Sequence, residues 1–183
     1  MTTPILVITG PSGVGKGTLI KGLLELVPGL ELAVSATTRR PREGEVNGVD
    51  YHFLSAEDFD RRVAAGEFVE HAEYAGNRYG TLRSELERPA RGIVLEIDLQ
   101  GARQVRETLP EAVQIFIEPP SLADLKDRLK ARGSDSEEQI ERRLALAPQE
   151  LAAKKEFGYR VVNDDLERAL GELTQLAARM CPP

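Results

Sequence analysis

Residues 5–26 read ILVITGPSGVGKGTLIKGLLEL, and this stretch decides the fold. Ile5 to Thr9 is a continuous apolar run of strand length, which suits a strand covered on both faces. Gly10, Pro11, Ser12, Gly13, Val14, Gly15, Lys16, Gly17 and Thr18 follow at once. Leu19, Ile20, Leu23, Leu24 and Leu26 then recur at spacings that a helix buries on one side. In such a strand, glycine loop, lysine and helix, consecutive backbone N–H groups turn inward as an anion nest. The helix adds its positive N-terminal end, and the lysine reaches β- and γ-phosphates. The order predicts a nucleoside triphosphate site at residues 10–18 with Lys16 at its centre. Where a Ser or Thr hydroxyl would ordinarily ligate Mg²⁺, the residue after Lys16 is Gly17, and a hydroxyl comes only with Thr18. Mg²⁺ keeps much of its water shell, so contact through water is expected there.

Working outward, strand-length apolar runs recur at Leu30 to Val34, Ile93 to Ile97, Val113 to Ile117 and Arg160 to Asn163. Helical patterns separate them, with start signals at Ser121 with Asp124, Ser136 with Gln139 and Asp164 with Glu167. Leu166, Ala169, Leu170, Leu173, Leu176 and Ala177 give the last helix one apolar stripe. This alternation predicts an α/β fold, a parallel five-stranded sheet flanked by helices. Glu96 and Asp98 flank Ile97, so in an extended strand they share a face. Asp98 falls at the carboxyl edge of the sheet, where such folds bind ligands. Both are metal candidates, Glu96 with the open alternative of a strand carboxylate paired to an arginine.

From Ser35 to Arg88 the rhythm breaks into short alternating segments punctuated by glycines, which reads as a small mixed lobe. The core is then 1–34 with 89–183, and ARGSDSEEQ at 131–139 reads as an exposed flap between two helices. A length of 183 residues suits one compact domain carrying such a lobe. Twenty-four Lys and Arg against 30 Asp and Glu leave a formal charge of −6, which argues against coating polyanionic nucleic acid. The apolar N-terminal run is far short of about 18 residues, with no basic leader, so no membrane insertion or export is expected. Cys181 is the only cysteine, which excludes an intrachain disulfide or cysteine metal cluster and fits a reducing cytoplasm. Residues 180–183 read as a frayed tail, and no obligatory protein partner is predicted.

With GPSGVGKGT (10–18), VSATTRRPREGEVNGVDYHF (34–53), GEFVEHAEYAGNRYGT (66–81), VLEIDLQG (94–101), LKARGSDSEEQIERRL (129–144) and VVNDDL (161–166), the chain resembles the guanylate kinase family. The blocks occur in family order over nearly the whole chain. The resemblance implies a nucleoside monophosphate kinase with a P-loop core, a GMP-binding lobe at 35–88 and a helical lid at about 128–148. The implied activity is reversible transfer of the ATP γ-phosphoryl group to GMP and dGMP, with Mg²⁺.

By the same resemblance Ser35, Arg39, Arg42, Tyr51 and Tyr79 hold the GMP phosphate, with charge-assisted donors suited to a dianion. Glu70 takes the guanine: a carboxylate only accepts, and the guanine edge offers N1–H and N2–H₂ side by side. Thr81 lies beside the base, and Asp98 is shared between that site and the metal. Taken singly, Glu70 would read as an exposed strand glutamate and the arginines of 39–42 as a solvated basic turn; the surrounding blocks reverse this. Arg128 and Arg132 stand four apart on one helical face. The resemblance gives Arg132 and Arg143 catalytic roles on the ATP phosphates, Arg128 an ATP contact or plain ion pairing, and Asn163 a place near adenine. Two rivals remain at this point: a non-catalytic guanylate-kinase-like protein-binding domain, and a kinase of the same superfamily with another acceptor.

Overall fold

The computed structural model describes residues 3–74, 76–131 and 136–182. In chain order it holds β1 (Ile5–Thr9), α1 (Lys16–Leu26), β2 (Leu30–Leu32), β3 (Ala36–Thr37), β4 (His52–Phe53) and α2 (Ala56–Ala64). There follow β5 (Phe68–Tyr74), β6 (Asn77–Leu82), α3 (Arg83–Leu86), β7 (Gly92–Glu96), α4 (Leu99–Thr108) and β8 (Val113–Glu118). The chain ends with α5 (Leu122–Ala131), α6 (Glu137–Ala152), a 3₁₀ turn at Ala153–Glu156, β9 (Tyr159–Val162) and α7 (Leu166–Met180).

The five core strands form one parallel sheet in the order β2-β7-β1-β8-β9. Strand β1 is central because both its faces are apolar. Leu6 and Ile8 pack into the layer built by α1 and α7, while Val7 packs with Ile97, Ala102 and Val105 on the opposite, α4 side. Because β1 and β7 run parallel, the loops after them open at the same carboxyl edge. The expected strands are all present, but β2 stops at Leu32. Ala33 still donates to Val94, and the chain then leaves for a second sheet.

That second sheet is mixed, in the order β4-β3-β6-β5, with β3 parallel to β4 and antiparallel to β6. Its own core is small: Ala36, Phe59, Phe68 and Leu82, with the Phe59 and Phe68 rings stacked at 4.5 Å. Between Phe68 and Glu70 the β5–β6 register shifts, a bulge that re-aims the following side chain and sets Glu70 opposite Thr81. The seam between the sheets is polar. Glu85 accepts from the Val34 amide (2.9 Å) and from Arg88 Nη1 (2.8 Å), and pairs with His52 Nε2 (2.8 Å). Burial alone would raise the Glu85 pKa, and these partners more than reverse it.

Several expectations need correction. Leu26 is 58% exposed and Leu166 is 46% exposed, so neither belongs to the buried stripe of its helix. The cap of α7 is Asp165, which accepts from Arg168 N (2.9 Å), whereas Asp164 pairs with the Arg168 side chain. Ser136 and Gln139 do form a complete capping box on α6. Cys181 is not frayed: it is 0% exposed, its carbonyl accepts from Arg91 Nε (2.7 Å), and it packs where Gly92 leaves room for its sulfur. Finally, Glu96 ends β7 and Asp98 caps α4, so strand alternation does not apply to the pair.

Candidate active site

A cleft of about 1640 Å³ runs along the carboxyl edge of the core sheet, bounded on its far side by the second sheet. That exceeds the roughly 300–1,000 Å³ of a single small-ligand pocket and leaves room for two. Lys16, Thr18, Glu96, Asp98, Arg128, Arg143 and Asn163 line one wall. Ser35, Tyr51, Glu70 and Tyr79 line the other.

The loop at 10–18 has the conformation its glycines permit. Gly13 and Gly15 have φ of 84° and 97°, a region closed to most side chains. A Cβ on Gly15 would come within 2.5 Å of Asn163 Nδ2. The loop is braced from behind. Asn163 Nδ2 donates to the Val14 carbonyl (2.8 Å), and Arg128 donates to the same carbonyl (3.2 Å) and to the Asn163 carbonyl (2.8 Å). Asn163 and Arg128, assigned above to the nucleotide, thus hold the loop itself. Arg143 reaches over from α6 and donates to Ser12 Oγ (2.8 Å). Arg132 lies outside the described residues.

Lys16 Nζ donates to the Gly10 carbonyl (2.7 Å) and the Pro11 carbonyl (3.1 Å). Burial pushes its pKa down, Glu96, Glu150 and Asp98 pull it back up, and Arg143 lowers it further. Glu150 escaped the sequence reading because it sits on an ordinary amphipathic helix. It lines the cleft, accepts from the Ser12 backbone, and has its pKa raised by burial against the pull of Lys16.

Across the cleft Arg39 forms a bidentate pair with Glu45 (2.7 and 3.0 Å) and stands 5.2 Å from the Tyr51 ring centre. Glu45, another residue not foreseen, also accepts from the Arg42 amide, and with Arg39 this holds its carboxyl at about 2. The Arg42 side chain is exposed. Ser35 and Tyr51 flank the parallel β3–β4 pair, and Tyr51 meets Tyr79 edge-on with ring centres 6.2 Å apart. Burial raises the Tyr51 pKa, and Tyr79 adds to this while Arg39 opposes it.

Glu70 is only 5% exposed. Burial pushes its pKa up to about 7, the Thr81 hydroxyl, donating to Oε1 at 2.7 Å, works the other way, and Asp98 adds to the rise. Gly101 on α4 admits this carboxylate, since a Cβ there would lie 2.5 Å from Glu70 Oε2. Asp98 accepts from the Gly101 amide (2.8 Å). A carboxylate offers about four acceptor sites, so with the Thr81 hydroxyl and backbone as its donors Glu70 retains acceptor capacity for a ligand's adjacent N–H groups.

Fold and site together define a P-loop phosphotransferase: a parallel α/β core presents a glycine nest and lysine at its carboxyl edge, facing a second wall of Ser35, Tyr51, Glu70 and Tyr79, while Arg39, tied to Glu45, and the exposed Arg42 stand outside the cleft lining. The guanylate kinase family model matches residues 2–179. The guanylate kinase of Thermosynechococcus vestitus is 57% identical over 169 residues, covering 91% of this chain and 88% of that protein. That of Rubrobacter xylanophilus is 50% identical over 179 residues, 96% of this chain and 94% of the relative. The crystal structure of guanylate kinase from Anaplasma phagocytophilum superposes with a TM-score of 0.77 at 33% identity, covering 100% of this chain and 88% of that one. The chain belongs to the guanylate kinase family.

Proposed function

We propose that the cleft transfers the γ-phosphoryl group of ATP to the phosphate of GMP, reversibly, giving ADP and GDP. The chain is an ATP:GMP phosphotransferase, as its family and its relatives at 50–57% identity support. The observation that carries the substrate assignment is Glu70, a buried acceptor paired to Thr81 on the wall opposite Lys16. Adenine offers no adjacent N–H pair to such a carboxylate, and an unpaired buried carboxylate is costly, which is how hydrogen-bonding sites reject analogues. Nothing in the comparisons favours the non-catalytic protein-binding alternative.

Residues 35–88 act as the GMP-binding lobe and about 128–148 as the lid, on a core of 1–34 and 89–183. Gly10 to Thr18 receive the triphosphate, with Arg128 and Asn163 fixing the loop behind it. Ser35, Arg39, Arg42, Tyr51 and Tyr79 receive the GMP phosphate, and Glu70, Thr81 and Asp98 the guanosine. The GMP phosphate oxygen is already a nucleophile near neutral pH, so no protein nucleophile is needed. The residues position it in line and stabilise charge around a loose transition state. Lys16, Arg132 and Arg143 supply that charge, and closure of the lid excludes water as a competing acceptor.

Mg²⁺ fits the donor set: the Thr18 hydroxyl and the carboxylates of Glu96 and Asp98 line the triphosphate wall. Among the described residues no cluster of three or more His, Cys, Asp or Glu forms a protein cage. Such a set matches an ion held by one or two carboxylates, water and phosphate oxygens. When bound, the ion would supply positive charge against the phosphates. Among the described residues no helix is long and apolar enough to cross a membrane; a cytoplasmic setting is supported by the lone buried cysteine.

An ADP-release assay over GMP, dGMP, AMP, CMP and UMP tests the assignment. Turnover should require a guanine base, and equal turnover with AMP would overturn it.

A further inference from the structure

Strand β5, which carries Glu70, lies at the edge of the second sheet, so its outer side has no neighbouring strand. Such an edge leaves backbone N–H and C=O groups unpaired unless something covers them. Helix α4 of the core does so. Gln104 Oε1 accepts from the His71 amide (3.0 Å), and Gln104 Nε2 donates to the His71 carbonyl (2.8 Å). One side-chain amide thus completes both backbone bonds of the residue next to Glu70, as a peptide group of another strand would.

The same helix face acts on either side. One turn on, the Thr108 hydroxyl shares its one proton between the Gln104 carbonyl of its own helix (3.0 Å) and the carbonyl of the bulge residue Val69 (3.3 Å). One turn back, Gly101 is the position whose missing Cβ lets the Glu70 carboxylate settle. Residues 101, 104 and 108 follow the helical three-and-four spacing, so one ridge of α4 meets all three of residues 69–71. The helix itself is capped by Asp98, on the triphosphate wall of the cleft.

We propose that Gln104 is a positioning residue for base selection: its amide bracket on His71 fixes where the Glu70 carboxylate stands, and so how both guanine donors are met. This rests on the reading that Glu70 takes the guanine. Without the bracket the edge strand shifts relative to α4, and misplacement by a fraction of an ångström degrades a two-donor contact far more than a single one. Hypoxanthine, which lacks the 2-amino group, is the matching probe because it offers Glu70 one donor where guanine offers two.

The test compares kcat and KM for GMP, IMP and ATP in the full chain and in Gln104→Leu, Gln104→Met and Glu70→Gln. For both Gln104 variants the expected result is a KM for GMP raised about tenfold and a fall of similar size in the GMP-over-IMP preference. The KM for ATP should stay within about twofold. A purely structural amide would lower the thermal midpoint or the active fraction while leaving GMP KM and the preference unchanged, and that result would overturn the proposal. Glu70→Gln separates the two ideas. If it keeps the GMP-over-IMP preference, the base-site reading itself fails; if it loses the preference while the Gln104 variants keep it, only the bracket fails. Hydrogen exchange of the unmutated chain adds a check independent of any variant. The His71 amide should be protected despite its edge position, and exchange at the rate of an open strand edge would sink the bracket.

Discussion

On the wall proposed for the triphosphate, the loop of residues 10–18 grows out of a strand whose Leu6, Val7 and Ile8 are wholly buried, and its backbone is braced by Asn163 and Arg128. On the wall proposed for the monophosphate, Ser35, Tyr51 and Tyr79 stand on or beside strands as short as two residues, over a core of four buried side chains. There, position is set by polar bonds: Arg39 to Glu45, Glu85 to Val34 and Gln104 to His71. One side is preorganised mainly by hydrophobic packing beneath its hydrogen-bonded brace, and the other mainly by hydrogen bonds individually worth only about 1–3 kcal/mol. The first suits binding a phosphate chain common to many reactions. The second suits discriminating one base, and it is the side whose geometry a single polar substitution can move.

The largest effect should come from Lys16→Ala, expected to lower kcat about 10³-fold while leaving KM for GMP within about threefold. A proportionate rise in GMP KM would mean that the two walls are not separable. Glu70→Gln comes next, with kcat/KM for GMP reduced about 10²-fold and KM for ATP unchanged, because an amide carries N–H donors where guanine needs acceptors.

The pH profile sharpens the same point. With Glu70 pushed up to about 7, the empty site must lose a proton to accept both guanine donors. The kcat/KM for GMP should therefore climb as pH rises through about 7. In Glu70→Gln only the ionisation of the GMP phosphate, near pH 6, should remain. Stability runs in the opposite direction. Between the ordinary 4.5 and about 7 the folded chain keeps a proton that the unfolded chain has lost, so this group's contribution to stability falls as pH rises across that window. Glu70→Gln should accordingly raise the melting temperature relative to wild type at pH 8 but not at pH 4, and equal shifts at both would contradict the burial argument.

Gly15→Ala probes the packed wall. A positive φ and a Cβ against Asn163 Nδ2 should cost about 2 kcal/mol or more in urea unfolding and raise KM for ATP, with GMP binding by calorimetry unchanged. The smallest effect belongs to Gly17→Ser. A Cβ there meets only the Glu96 carboxylate oxygens, at 3.9 Å, so the side chain fits without strain. Half-saturating Mg²⁺ in the kinase assay should fall by no more than about fivefold. Loss of activity would show that the bare backbone at Gly17 is itself needed.

The same contrast governs what the amino-acid sequence discloses. The core strands are legible because burial on both faces demands continuous apolar runs, and the phosphate loop because only glycine tolerates its backbone. The β3–β4 pair is not legible from periodicity, since two-residue strands have none. The residues proposed for GMP are marked by family resemblance, not by chemistry visible in one chain. Gln104, Glu150, Glu85 and Glu45 escaped because a polar residue on a helix or turn looks the same whether it meets water or a distant backbone. Leu26 and Leu166 misled in the opposite way, since spacing marks which residues can be buried but not where the covering layer ends. Asp165 displaced Asp164 as the cap because adjacent aspartates compete for one role, and only the three-dimensional path of β9 into α7 decides between them.

The sulfur of Cys181 is the chain's one thiol, and it is sealed where the terminal helix ends, against Gly92 at the start of β7. It therefore serves as an inbuilt gauge. The rate at which an alkylating reagent labels it reads out how often that helix lifts away, without any engineered probe.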